Sequence, residues 1–346
     1  MPMSIRIGKG IGDISPQTLR FFRQLGVEDV HMPTRWNERA NARPTVRPHV
    51  PPAQTAPSGP VGTPWDQAEL ERIKERIDAY DLQATVANLG LSGNILLGQE
   101  GRDSDIEVIR QRVETAGQVG LEVLTYNFTA LRASEGYASI EGGGRGGAHL
   151  RDFDYARIAE LPPLDDLPPV SYAQMWENLH WFLEAIMPTA EAAGVKLAVH
   201  PNDPPVPQYR GVAQPLATYR DWQKLIDLVD SPSNTLFFDT GVTTELGDDA
   251  VAAIEYFGAR QRLGTVHFRN VRTIEPHYKY VETFHDDGDA DLYACMRAFF
   301  AVGYRGQIDP DHTPGLIDDE VGTRAGWALA IGQIAAMRNQ CRREAD

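Results

Sequence analysis

The chain has 346 residues, with 48 acidic and 33 basic side chains and a formal charge of −15. That acidity argues against duplex nucleic acid or an anionic membrane surface as the main partner, but not against a small acidic ligand, because a local cation overrides the global field. A hydrophobic share of 42% and a charged share of 23% exclude a fibrous or fully disordered chain.

Eight short apolar runs, rich in β-branched residues, read as strands buried on both faces: Ile5–Gly8, Val27–Met32, Gln83–Asn88, Val123–Phe128, Lys196–His200, Thr235–Asp239, Thr265–Arg269 and Gly306–Asp309. Helical patterns fall between them. Ser15-Pro16 opens one that carries Leu19, Phe22 and Leu25 and stops at Gly26. Thr63-Pro64 opens the next, with Leu70, Ile73 and Ile77 on one face. A third, carrying Ile106, Ile109 and Val113, ends at Gly120, and Ser171 opens a fourth with Trp176, Leu179 and Phe182. Four more cover 225–229, 250–257, 292–300 and 327–337. Strand–helix repeated eight times predicts a (β/α)8 TIM barrel in a single domain, 1–346; a doubly wound sheet is the competing arrangement.

Two insertions break the rhythm: residues 41–64, with seven prolines, and residues 131–170, with the glycine-rich stretch 142–147. Both follow strands, so they are expected at the C-terminal, catalytic face as lids over the mouth. The glycine runs Gly8-Lys9-Gly10-Ile11-Gly12 and 142–147 match neither a dinucleotide fingerprint nor a P-loop, and both read as turns. Cys295 and Cys341 have no metal-type spacing, which rules out a disulfide framework and makes a reducing compartment the default. With no signal-type N-terminus and no apolar run near the ~18 residues of a membrane span, a cytoplasmic protein is expected, and a homo-oligomer is left open.

The chemistry concentrates on the last four strands. His200 ends the fifth, Asp239 the sixth, His267 lies inside the seventh, and Asp311 follows the eighth. Strand ends converge at the barrel mouth, so these two imidazoles and two carboxylates are candidate ligands for one ion, and the mixed N/O set suits Mn²⁺, Mg²⁺ or Fe²⁺. His312 adjoins Asp311 and is a candidate for proton transfer. Arg269, two residues past His267, is a candidate for holding a substrate carboxylate. His285 in the seventh loop and Tyr126 at the end of the fourth strand complete the catalytic candidates.

Several stretches carry a resemblance: Tyr126-Asn127-Phe128, the helix from Trp176 to Pro188, Gly194 to Pro205 with its His200-Pro-Asn-Asp-Pro-Pro, Val266 to Arg272, and Pro310-Asp311-His312. The chain resembles the mannonate dehydratases, a family of xylose-isomerase-like barrels. The resemblance implies a Mn²⁺-dependent hydro-lyase turning a sugar acid into a 2-keto-3-deoxy acid, with metal on His200, His267 and Asp311 and His312 as the catalytic histidine. Two positions depart from the family: its Cys-Thr-Gly reads Asp239-Thr240-Gly241 here, and residues 316–327 hold no counterpart to its tyrosine. The expected reaction is therefore dehydration of D-mannonate or a related aldonate. The alternatives are a metal-dependent sugar isomerase or epimerase on the same barrel, and a non-catalytic sugar-binding homologue.

Overall fold

The computed structural model describes residues 5–35, 61–129, 135–163, 167, 169–319 and 323–345. Eight parallel strands close a barrel: β1 (Arg6–Gly10), β2 (Asp29–Met32), β3 (Gln83–Asn88), β4 (Val123–Asn127), β5 (Lys196–His200), β6 (Asn234–Asp239), β7 (Leu263–His267) and β8 (Gln307–Asp309). The expected barrel is the observed one, and each strand lies beside its sequence neighbour with β8 closing on β1. Alternation does the sorting. In β5, Leu197 and Val199 join the large core between barrel and helices, while Ala198 meets Val86, Val123 and Phe237 in a separate apolar cluster inside the barrel.

The principal helices are α1 (Pro16–Gln24), α2 (Gln67–Asp78), α3 (Arg102–Gln118), α4 (Tyr172–Ala193), α5 (Tyr219–Leu228), α6 (Ala250–Ala259), α7 (Leu292–Ala301) and α8 (Arg324–Ala345). Ser15 and Ser171 cap α1 and α4 as their sequences predict, each side-chain oxygen accepting a backbone N–H of the first turn. The start of α2 differs from expectation. Asp66, not Thr63, is its cap and accepts from Glu69 N, because Thr63 is engaged elsewhere: its carbonyl takes Arg112 and its hydroxyl takes Arg35. Among the described residues no helix is long and apolar enough to cross a membrane.

Gly8 and Gly10 are strand residues, which corrects their reading as a turn. A Cβ at Gly8 would lie 2.1 Å from Gln307 Cγ, so glycine there makes room for a β8 side chain inside the barrel. The stretch 142–147 does turn, with Gly142, Gly146 and Gly147 at positive φ.

Of the first insertion only residues 61–64 are among those described, so its expected lid lies outside them. The second holds two strands that its sequence reading left as loop. Tyr137–Ile140 and Leu150–Asp154 pair antiparallel with each other, and the second pairs with Lys279–Glu282. That strand in turn forms a hairpin with Val271–Glu275 just beyond β7. The resulting four-stranded sheet sits against the mouth beside β5, β7 and β8, where Tyr280 bonds Asp203 and Glu282 faces His312.

Candidate metal centre and active site

Three of the four expected ligands meet. His200 Nε2 lies 3.0 Å from His267 Nδ1, and Asp239 Oδ2 lies 3.4 Å from each of those nitrogens. Donors about 2.1 Å from one ion stand roughly 3.0 Å apart at right angles and roughly 3.4 Å apart at tetrahedral angles. The three separations are therefore those of one coordination sphere, and the trio forms a cluster able to hold a metal ion. The chain prepares two of the donors. His200 Nδ1 lies 2.8 Å from the Pro201 carbonyl, which fixes the proton there and leaves Nε2 as the free lone pair. Asp239 Oδ1 accepts from Val242 N at 2.8 Å, capping the short helix Thr240–Glu245, so Oδ2, which also accepts from Arg269 Nε at 3.0 Å, is the oxygen turned to the two imidazoles.

Asp311, the fourth expected ligand, stands outside this cluster. Its Oδ1 is 3.6 Å from Nε2 of His267, the ring nitrogen that faces away from His200 and Asp239. β8 ends at Asp309, and Asp311 follows in a turn with φ +55°. Its Oδ2 lies 3.0 Å from His312 Nε2 and 3.1 Å from Arg269 Nε.

Arg269 is the hub. Only 1% exposed, it reaches Asp239 through Nε at 3.0 Å, Glu245 through Nη1 at 2.8 Å and Asp203 through Nη2 at 2.8 Å. The Asp239-Thr240-Gly241 element builds its seat. Thr240 Oγ1 donates to the Arg269 carbonyl and accepts from its N–H, and a Cβ at Gly241 would come within 2.7 Å of Cζ. This corrects the sequence expectation for Arg269. Its guanidinium is committed to protein carboxylates, which leaves no fork for a substrate carboxylate.

Burial opposes every charge here, and the pairs overrule it. Arg269 and hydrogen bonds from His200 and His267 hold the Asp239 carboxyl well below the usual carboxylate range. His267 and His312 do the same for Asp311. Asp311 and Glu282 raise His312 above an ordinary imidazole. Glu245 goes the other way, pushed well up by burial and then by the Asp203 charge.

The sequence profile of D-mannonate dehydratase (UxuA) matches residues 50–160 and 147–340. The chain belongs to the mannonate dehydratase family. A mannonate dehydratase of Streptococcus equi subsp. zooepidemicus is 29% identical over 301 residues, covering 78% of this chain and 80% of that one. One from Thermotoga petrophila is 28% identical over 288 residues, covering 73% and 79%. The crystal structure of mannonate dehydratase from Streptococcus suis serotype2 superposes with a TM-score of 0.82 at 24% identity, covering 99% of this chain and 95% of that one. L-ribulose 3-epimerase shares the fold more distantly, with a TM-score of 0.58 at 16% identity and coverage of 99% and 97%.

Two catalytic candidates of this mannonate dehydratase family member lie away from the cluster. Tyr126 is 1% exposed and points outward from β4, its ring 5.4 Å from that of Phe182 on α4. Its outward direction follows from strand parity, since Asn127 is the neighbour that faces the mouth. His285 is 4% exposed, its ring 6.5 Å from that of Phe268, and burial pushes its pKa down to about 4. Both are corrected to packing positions. Conversely, residues given no role by the sequence reading belong to the site: Asp203 and Glu245 on Arg269, and His31 and Asp309 at the ends of β2 and β8. Asp309 accepts from Lys9 Nζ at 3.1 Å and from Gly10 N, and the Lys9 charge leads in lowering its pKa, against burial, to about 2. His31 sits beside it, Nε2 3.8 Å from Oδ2, lowered by burial. The signal for His31 was present, as Asp-Val-His31-Met ends a strand just as Leu-Ala-Val-His200 does.

Proposed function

We propose that the protein dehydrates a sugar acid, D-mannonate or a related aldonate, to the 2-keto-3-deoxy acid, using a divalent cation, Mn²⁺ foremost and Mg²⁺ or Fe²⁺ otherwise. The observation that carries this reading is the convergence of His200 Nε2, His267 Nδ1 and Asp239 Oδ2 at one point of the mouth in a mannonate dehydratase family chain. Those three residues would hold the ion, with Asp311, 3.6 Å from His267 on its far side, as the candidate fourth ligand. A divalent cation at this place polarises the acid's carboxylate and adjacent hydroxyl, which lowers the cost of negative charge developing at C2.

The chain's own residues do the rest. His312, 34% exposed at its side chain and paired with Asp311, is the group at the mouth positioned to move a proton, taking the C2 proton or protonating the departing C3 hydroxyl. Arg269 keeps Asp239 and Asp311 ionised, and so ready for a cation, by charge rather than by touching substrate. The sheet that carries Tyr137, Tyr280 and Glu282 covers this side of the mouth and excludes water from it. The free, buried Cys295 and Cys341 fit work in the reducing cytoplasm.

The test is incubation of Mn²⁺-loaded protein with a panel of aldonic acids and keto-sugars. Formation of a 2-keto-3-deoxy acid from mannonate or a stereoisomer is expected. Isomerised keto-sugars with no keto-deoxy product would replace dehydration by isomerase or epimerase chemistry.

A further inference from the structure

The side of the mouth opposite the metal residues has a different character. A cavity of about 1010 Å³ opens at the ends of β1, β2 and β3, where Gly10, His31 and Asn88 line it. It is at the upper end of the roughly 300–1,000 Å³ of small-molecule sites. Trp65 and Trp327 contribute aromatic surface, and Arg35 and Arg112 contribute charge. In a chain with 48 acidic residues, the described residues that line this cavity include no aspartate or glutamate.

Among the described residues the two arginines lack the paired carboxylates that Arg269 has in excess. Arg112, 7% exposed, donates to the carbonyls of Val61 and Thr63 and has no carboxylate in ion-pair range among the described residues. Arg35 donates to the Thr63 hydroxyl at 2.9 Å and is likewise without a carboxylate among the described residues. Both converge on Thr63, so two like charges share one wall, and Arg112 is depressed first by burial and then by Arg35. Two guanidiniums held together with no carboxylate in ion-pair range among the described residues, Asp105 acting on Arg112 only from farther off, form a site that gains from an anion. The cavity also borders the metal donors: His31 packs on Phe237 with ring centroids 5.9 Å apart, and Phe237 lies 4.0 Å from His267.

We propose that Arg35 and Arg112 form an anion subsite for the end of the substrate remote from the metal donors, so that the preferred acid carries a second negative group there, a terminal carboxylate or phosphate. The identity of the near end rests on the dehydratase reading; the subsite itself does not. The indole faces of Trp65 and Trp327 suit the C–H faces of the intervening sugar carbons.

Titration calorimetry on the metal-free and Mn²⁺-loaded protein tests this with three ligands: D-mannonate, its C6-oxidised hexarate and its C6-phosphorylated form. The doubly charged acids should bind at least about 10-fold more tightly than mannonate, and the advantage should shrink with added salt and vanish in Arg35→Gln. Whichever doubly charged acid gains more identifies the group as carboxylate or phosphate. Arg112 also ties down the backbone at 61–63, so Arg112→Lys, which keeps the charge, accompanies Arg112→Gln, with folding checked by circular dichroism. Equal affinity for all three acids in the wild type, or an advantage that survives Arg35→Gln, overturns the subsite. Turnover of mannonate separates the two readings. Dehydration without any preference for a second anion removes the subsite alone. An Arg35-dependent preference with no keto-deoxy product from any of the acids removes the dehydratase reading and leaves the subsite standing.

Discussion

Replacing Arg269 by Met distinguishes a structural counter-ion from a substrate clamp. The guanidinium is 1% exposed and lies within 3.1 Å of oxygens from Asp203, Asp239, Glu245 and Asp311. Methionine is long enough to fill much of the space but leaves those carboxylates facing one another without a cation. Breaking one buried pair costs about 3–5 kcal/mol, and shared partners make the pairs non-additive, so about 5 kcal/mol is the figure for the whole hub. An unfolding entropy of about 2.1 cal/mol/K per residue, over 346 residues, converts this to a fall in Tm of roughly 7 °C. Thermal unfolding at pH 7 in chelator measures it. Saturating divalent cation should narrow the gap, because an ion on Asp239 supplies part of the missing positive charge. A metal-free variant melting within about 1 °C of wild type, with a KM for the sugar acid raised 100-fold, would refute this reasoning and return Arg269 to the role of carboxylate clamp.

Asp239→Asn keeps the helix cap's acceptor oxygen but removes the charge, and should weaken divalent-cation affinity by more than the roughly 10–100-fold typical of losing an outer partner, read by metal titration. His312→Asn should lower turnover by about 10²–10⁴-fold while metal content stays full; full metal with near-normal turnover would move the proton-transfer role elsewhere. His285 is held at about 4 against an ordinary 6.5. The unfolded chain therefore takes up its proton first as pH falls, and the stability tied to this group is whole above about 6.5 and lost progressively down to about 4, a total of about 3 kcal/mol. His285→Phe should flatten the fall in Tm over that window, and an unchanged slope would show that the imidazole is not buried neutral.

The barrel strands were legible because most are short runs apolar on both faces, punctuated by capped helices, with polar side chains such as Lys9 and Gln307 the exceptions inside β1 and β8. The sheet over the mouth was not. Tyr137–Ile140 and Lys279–Glu282 are four residues each, and the strands pair across more than a hundred residues of chain, so their structure depends on partners that local pattern does not reveal. The strand-end rule located His200, Asp239 and His267, whose side chains share the inward face. It did not reveal that Asp311 stands apart from those three and against Arg269 and His312, because β8 stops at Asp309 and the chain turns before the second aspartate. Period-two counting put Arg269 on the correct side but could not show that Gly241 opens a slot between it and Asp239. Tyr126 failed on parity: it is one residue short of the mouth-facing Asn127, and its side chain falls among the helices. Asp203 stood inside the quoted His200-Pro-Asn-Asp motif without a role, since only the folded chain brings it within 2.8 Å of Arg269.

The distribution of charge around the mouth imposes an order on binding. On the β5–β8 side, even with Glu245 protonated, Asp203, Asp239 and Asp311 face a single guanidinium, and the chain as a whole carries −15. An acid approaching that side alone meets net repulsion at short range. Beyond a Debye length of about 8–10 Å the global charge is screened, so the local surface decides where an anion settles. On the β1–β3 side the cavity with Arg35 and Arg112, whose described lining holds no aspartate or glutamate, is the surface that favours it. On the proposed reading, a divalent cation on His200, Asp239 and His267 would offset the excess negative charge of the other side and give the acid a cation to meet there, so that one molecule could then span both. Cation before acid is the sequence that follows from the charges, and substrate affinity should therefore rise with metal occupancy on the β5–β8 side while the anion preference of the β1–β3 side persists without metal.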